Sequence, residues 1–281
     1  MSNSFPDFTY IKEKALAIRS NSLKMIHAAK SGHPGGSLSI ADILAVLYFG
    51  SHLRFNPKNP SDAARDVLVV SKGHASPAIY SALGLAEYYD LTETISFRQL
   101  GSKFQGHIDS LKVPGVEMST GSLGHGLSNA LGFALAARLD NSDRKVFALL
   151  SDGELQEGQC WEAFMAAAHY KLNNLIVIID RNRIQLDGWT ETTMALDSLS
   201  DKLKAFNWNI AEIDGHDVEA LDSTLKEAYR ISKETARPFA IIANTIKGKG
   251  VSFMENEVAW HGVAPNDADL ERALTELGSS K

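Results

Sequence analysis

Leu149-Leu150-Ser151-Asp152-Gly153-Glu154, taken with Ile176-Val177-Ile178-Ile179-Asp180-Arg181-Asn182-Arg183-Ile184, is the part of the chain whose reading decides the fold. Each stretch is an aliphatic run that stops at polar residues, so each reads as a buried strand reaching the edge of a sheet. Between them an Ala-rich segment, residues 158–172, has the pattern of a helix. One strand–helix–strand unit therefore fills the interval, and a right-handed crossover sets both strands parallel in one sheet. Their carboxyl ends then lie side by side, at the edge where open parallel sheets bind ligands. Asp152 and Asn182 can meet there.

The same reading extends in both directions. Strands are expected at residues 67–70, 146–150, 175–179, 209–213 and 239–243. Helices are expected at 12–30, 40–49, 77–89, 123–139 and 218–232, with a last one capped by Asn266 and ending near Gly278. Strands that alternate with helices and are aliphatic throughout predict an α/β fold, a parallel sheet with helices on both faces. No repeat or low-complexity tract divides the chain. Residues 1–281 read as a single domain with an N-terminal helical extension.

The Asp152 carboxylate, the Asn182 amide oxygen and a carbonyl of the loop after it form a hard oxygen set. Mg2+ takes few such protein ligands and completes its octahedron with phosphate oxygens and water. Gly153 lets the backbone approach a phosphate, and the helix start beyond it offers free N–H groups. The pair fits a diphosphate bridged by a metal. Taken singly, an Asp-Gly at a strand end is an ordinary turn; joint placement by one crossover unit raises the two above that.

Composition narrows the field. The 281 residues are 44% hydrophobic and 22% charged, ordinary for a globular protein. A net charge of −6 argues against a nucleic-acid binder, which needs a basic face. The one cysteine, Cys160, excludes an internal disulfide and a Cys-rich zinc site, and reads as core. Residues 118–137 lack Asp, Glu, Lys and Arg, but four serines and threonines, His125 and Asn129 disqualify them as a membrane span. The start has no basic stretch followed by an apolar run, so no signal peptide is read and a cytoplasmic protein is expected.

Other segments then carry a resemblance. Ser31-Gly32-His33-Pro34-Gly35-Gly36, Ser71-Lys72-Gly73-His74-Ala75-Ser76, Gly106-His107, Gly121-Ser122-Leu123-Gly124-His125-Gly126, the Asp152 and Asn182 stretches, Asp187-Gly188 and Trp260-His261-Gly262 match the transketolase family in order and spacing, from about Tyr10 to Leu277. The chain resembles the N-terminal subunit of a split transketolase. The resemblance implies the thiamine diphosphate-binding fold and a two-carbon ketol transfer between sugar phosphates. It implies thiamine diphosphate with Mg2+ (Ca2+ or Mn2+ as alternatives) as cofactors, and an α2β2 heterotetramer with a C-terminal subunit carrying the pyrimidine-binding domain. That domain would hold the activating glutamate, so this chain is expected to be inactive alone.

By the same resemblance Asp152, Asn182 and the Ile184 carbonyl are the metal ligands. Gly121, Ser122, Leu123, Gly153, Glu154 and Glu157 belong to the cofactor's surroundings, with Leu123 near the thiazolium and Glu157 coupling the two sites of a dimer. His33, His74, His107 and His261 are the active-site histidines, His74 and His261 also touching the cofactor. Glu154 by itself reads as a solvated charge at a helix start, and Asp180 as a strand-end partner. Lys247 and Lys249, flanking Gly248, could clamp a phosphate, but read more economically as a flexible basic loop over the site. Ser151, Ile108 and His125 depart from the family's usual Gly, Pro and Gln. His125 is divided between a cofactor contact and a structural bond at a helix start.

Trp161, Phe164 and Met165 read as helix packing, and His27, His52, His169 and His216 as packing or capping. The small-residue helix 128–137 suits either a subunit interface or the interior. Three other functions stay open: the same chemistry on a sulfo-sugar, a branched sugar phosphate or a deoxyxylulose-type condensation; a 2-oxo acid dehydrogenase, disfavoured by the His33 and His74 segments; and a non-catalytic scaffold.

Overall fold

The computed structural model describes residues 7–186 and 188–278; Asp187, part of one motif above, lies outside them. The chain begins with α1 (Phe8–Ala29), α2 (Pro34–Ser39) and α3 (Ala41–Phe49), followed by β1 (Val67–Val70), α4 (Ser76–Leu85) and α5 (His125–Leu139). Next come β2 (Val146–Ser151), α6 (Gly158–His169), β3 (Leu175–Arg181) and a short hairpin of β4 (Ile184–Gln185) and β5 (Gly188–Trp189). The last part is α7 (Thr190–Thr193), α8 (Leu199–Ala205), β6 (Asn209–Asp214), α9 (Val218–Thr235), β7 (Phe239–Asn244) and α10 (Asp267–Glu276).

Five strands form one sheet in the order β1-β2-β3-β7-β6, and every pairing is parallel. Side chains alternate across a strand, and the core divides accordingly. Leu175, Val177 and Ile179 pack with Leu127, Ala130 and Ala134 of α5 and Cys160, Phe164 and Ala167 of α6. Ile176 and Ile178 face the other way, into a cluster built by α1, α3, α4 and α9. Both faces are thus covered, which is why the central strands are aliphatic until they reach their carboxyl ends. The exception is β6, an edge strand that stays half exposed.

Several boundaries moved for identifiable reasons. The third sequence-predicted helix ends at Leu85, not residue 89, because Glu87 takes a left-handed φ of 67°. The fourth begins at His125, because Gly124, at φ 87°, turns the chain into it. A β-carbon on Gly124 would lie 2.8 Å from Glu157 Cβ, so only glycine fits. α2 was not expected, since its two glycines disfavour a helix. Burial decides it: a β-carbon on Gly35 would sit 2.9 Å from Lys247 Cγ and from the Trp260 carbonyl oxygen. Met165 is not a packing residue, being 57% exposed, whereas Cys160 is fully buried. Asn266 caps α10 in a reciprocal capping box with Asp269. Among the described residues no helix is long and apolar enough to cross a membrane.

Candidate active site

All the motifs come together at the carboxyl edge of the sheet. The register pairs Leu150 with Ile179 and Ser151 with Asp180, so β2 and β3 end level with each other. Asp152 N–H donates to the Asp180 carbonyl at 3.2 Å. The Asp152 carboxylate accepts from Gly153 N–H at 2.8 Å, Arg183 N–H at 2.6 Å and Arg181 Nη1 at 3.0 Å, which ties the two strand ends together. Burial and the nearby Asp180 charge push Asp152 up to about 6, against the pull of Arg181 and the backbone donors.

Asp180 is a strand-end partner, as expected, and it has a further effect. It is fully buried and accepts from Ser39 Oγ at 2.8 Å, Asn182 Nδ2 at 2.8 Å, Lys72 Nζ and Thr245 Oγ1. Burial would raise its carboxyl, but the Lys72 charge and these donors hold it below the usual range. A carboxylate can only accept, so Asp180 fixes the Asn182 amide with its nitrogen inward. Asn182 Oδ1 is thereby turned away, where it accepts from Ile184 N–H at 3.1 Å.

A cavity of about 280 Å³ opens at this edge. Of the predicted site residues, its wall contains His33, His74, His107, His261, Gly121, Leu123, Gly153, Glu154, Glu157, Asn182 and Ile184. The four imidazoles form one group: His33 lies 5.2 Å from His74, 5.4 Å from His261 and 6.3 Å from His107, centroid to centroid. Gly121, at φ 150°, abuts His107, where a β-carbon would lie 2.7 Å from the ring. Ser122 is exposed and off the wall, and His125 is exposed at the first position of α5. Asp152 is completely covered and lies behind the wall.

Two expectations need correction. Glu154 is not a solvated charge: it is fully buried. Its carboxylate accepts from Ser71 Oγ, from Gly124 N–H at 2.8 Å and from Ser151 N–H at 3.3 Å, joining the loop before α5 to the ends of β1 and β2. Burial pushes it up, those donors notwithstanding. Lys247 is not a flexible cover either. It is buried in the cavity wall, its ammonium donating to the Ile184 carbonyl at 3.1 Å and meeting His261 Nδ1 at 2.7 Å. Lys72, equally buried on the wall, carries no expectation from the sequence. The signal for both lysines was present, a lysine flanked by glycine or serine beside a strand end, but spacing alone does not say that a lysine points inward.

The wall is cationic and rich in donors. Burial and the Lys72 charge lower Lys247 to about 8. Burial also lowers His33, to about 4 with Arg98 adding to it, and His261, to about 3 with Lys247 adding. His74 is driven well down and His107 down, again chiefly by burial. His33 Nδ1 is buried with no hydrogen-bond partner. Such a wall suits an anion with many oxygens, as a diphosphate has. Leu123, Ile184 and the exposed Leu186 give the cavity one apolar flank.

Among the described residues no three His, Cys, Asp or Glu side chains are grouped for a metal ion. A metal here would rely on one carboxylate with amide and backbone oxygens, the donor kind that Mg2+ accepts. The Ile184 carbonyl already holds a cationic head, the Lys247 ammonium. The residues present fit both halves of a metal–diphosphate group.

The neutral histidines predict an acid weakness. An imidazole whose folded pKa lies below 6.5 takes up its proton more readily once unfolded, so stability is intact above pH 6.5 and falls as pH drops from there towards 4. With allowance for solvent screening of half-buried groups, His33 and His261 together account for about 2 kcal/mol. Melting temperatures of the ligand-free chain between pH 7 and 4.5 should fall less steeply in a His33→Gln/His261→Gln variant. Parallel curves for the two proteins would contradict the assignment.

The profile described as "Transketolase, thiamine diphosphate binding domain" matches residues 11–281. This chain belongs to the transketolase family. It is 40% identical to one of the subunits of the apulose-4-phosphate transketolase of Phocaeicola vulgatus, covering 92% of this chain and 90% of that one. It is 39% identical to the 6-deoxy-6-sulfo-D-fructose transketolase subunit SqwG of a Clostridium species, covering 95% and 96%. Human transketolase is 36% identical, but this chain spans only 42% of its length. The crystal structure of Campylobacter jejuni transketolase superposes with a TM-score of 0.89 at 38% identity, covering 96% of this chain and 43% of that one. Those neighbours support the parallel α/β fold read from the sequence.

Proposed function

We propose that this chain is the diphosphate-binding subunit of a two-subunit transketolase. With a partner carrying the pyrimidine-binding domain, in an α2β2 heterotetramer, it transfers a two-carbon ketol unit from a ketose phosphate to an aldose phosphate in the cytoplasm. The whole chain acts as one cofactor-binding domain. One observation carries this reading: in a transketolase-family chain, Asn182, Ile184 and the four-histidine cluster line one cationic cavity at the sheet edge, with the Asp152 carboxylate directly behind its wall.

In the proposed mechanism thiamine diphosphate supplies, when bound, the acidic carbon that adds to the ketose carbonyl and the electron sink that follows. Asp152, Asn182 and the Ile184 carbonyl hold Mg2+, with Mn2+ or Ca2+ as substitutes. Lys247, His74 and His261 present N–H groups to the diphosphate oxygens, and Gly121 and Gly153 let the backbone come close. His33 and His107, kept neutral by burial and the Arg98 charge, accept or return protons at sugar hydroxyls. Leu123 and Leu186 exclude water from the apolar flank, and Glu157, at the exposed rim, faces the partner.

The chain alone, supplied with Mg2+, thiamine diphosphate, a donor and an acceptor, is expected to bind the cofactor by calorimetry and to show no ketol transfer. Turnover appears when the pyrimidine-domain chain is added. Robust turnover without a partner would overturn the split-enzyme reading, and absence of binding heat both with and without the partner would favour a scaffold. The two relatives that are themselves subunits act, by their names, on apulose-4-phosphate and 6-deoxy-6-sulfo-D-fructose. This favours a second reading in which the same chemistry serves a branched or sulfonated sugar.

A further inference from the structure

Arg181 is an unusual neighbour for a metal carboxylate. It sits at the last position of β3 with a side chain 2% exposed. Its Nη1 donates to Asp152 Oδ2 and to Thr190 Oγ1, each at 3.0 Å. Nη2 donates to Glu191 Oε1 at 2.8 Å and to Asp197 Oδ1 at 3.0 Å. One buried guanidinium thus serves three carboxylates, only one of which lies at the sheet edge. A lone arginine on Asp152 would cancel the single negative charge the metal needs. Glu191 and Asp197, 33% and 54% exposed, supply counter-charge from the solvent side.

We propose that Glu191 and Asp197 are positioning residues that act through Arg181: they balance the guanidinium charge so that it does not cancel the Asp152 carboxylate as a metal ligand. This rests on the metal site proposed above. Neither balancing residue touches the cavity: both act through the guanidinium. Asp152 remains oriented without Arg181, because Gly153 and Arg183 N–H groups hold both of its oxygens.

The test follows uptake of Mn2+ by the full chain in the presence of thiamine diphosphate, read from the spin-resonance signal of the free ion. Glu191→Gln/Asp197→Asn should need about tenfold more Mn2+, the low end of the effect of partners that bond a metal ligand directly, since these two stand one bond further out. Adding Arg181→Gln to that double variant removes the uncompensated cation and should bring the affinity most of the way back. A purely structural role for these residues predicts the reverse, since the triple variant has lost more bonds. Glu191 also accepts from Leu196 and Asp197 N–H groups. If the double variant does not fold, Asp197→Asn alone is measured, with a loss of about threefold expected. Parent-like affinity in the variant that folds overturns the proposal, as does a triple variant no better than the double. A parent chain that takes up no Mn2+ overturns the metal site instead.

Discussion

Asp152→Ala should release thiamine diphosphate while leaving the fold in place. Asp152 is the one carboxylate in the proposed ligand set, so its removal leaves a divalent ion with an amide and a carbonyl, both neutral. Changes to outer partners alone typically cost 10–100-fold in metal affinity, and loss of the charged ligand should exceed about 100-fold. Folding should lose roughly 2 kcal/mol, because the Gly153 and Arg183 N–H groups are left without their acceptor, with part of that cost offset. The carboxylate is fully buried and pushed up to about 6, so in the ligand-free protein it is poorly solvated as an anion. Arg181 would keep Glu191, Asp197 and Thr190 as partners. Calorimetric titration and a thermal melt of the same variant decide the matter. Retention of cofactor at the parental affinity would remove Asp152 from the ligand set.

Glu154→Ala should do the opposite, with its main effect on stability. The Ser71 hydroxyl and the N–H groups of Gly124 and Ser151 all lose their acceptor, a fully buried carboxylate. Each orphaned buried donor costs about 1–3 kcal/mol. Removal of a buried, raised carboxyl offsets part of this, which leaves roughly 3 kcal/mol, or about 5 °C in melting temperature for a chain of this size. Glu154→Gln keeps one acceptor oxygen and should lose about half as much. A melt within about 2 °C of the parent would mean that Glu154 is the solvated helix-start charge suggested by its position in the sequence. Gly121 and Leu123 of the same loop line the cavity, so weaker cofactor binding should accompany the stability loss.

Why does the sequence mislead at Glu154 and not at Asp152 and Asn182? Strand ends are local facts. The run from Leu175 to Ile179 has no polar break, and Val67–Val70 appears in the structure with the limits its sequence predicted. β3 does continue two residues further, through Asp180 and Arg181, which are charged yet fully buried. Their charges are absorbed by Lys72, Thr245, Asp152 and Glu191, none of which is adjacent in sequence. The same holds for Glu154, whose hydroxyl partner Ser71 is 83 residues away. The short hairpin of β4 and β5, and the helices α7 and α8 after it, carry no periodicity long enough to register.

The histidines show the limit from another side. Four of nine are assigned to the site only through the family pattern, because a lone His beside Pro34 or Gly73 has several ordinary explanations. The remaining assignments hold in part. His52 is buried against Asp222 at 2.8 Å, and His216 meets Asp42 at 2.7 Å, as packing histidines do. His27 pairs with Asp267 at 2.7 Å, and His169 is exposed beside Tyr170.

By itself the sequence determined that aliphatic strands alternate with helices in a parallel sheet, and that Asp152 and Asn182 reach the same edge of it. A period of two along a strand and a single crossover are enough for that. The tertiary structure alone decided which charges are buried, which way the Asn182 amide turns, and that Lys72 and Lys247 point into the cavity. Those outcomes depend on partners brought together across the sheet, such as Lys72 and Asp180, 108 residues apart. A buried charge is stable only where folding supplies its counter-charge and donors, and neither is written in the neighbouring residues.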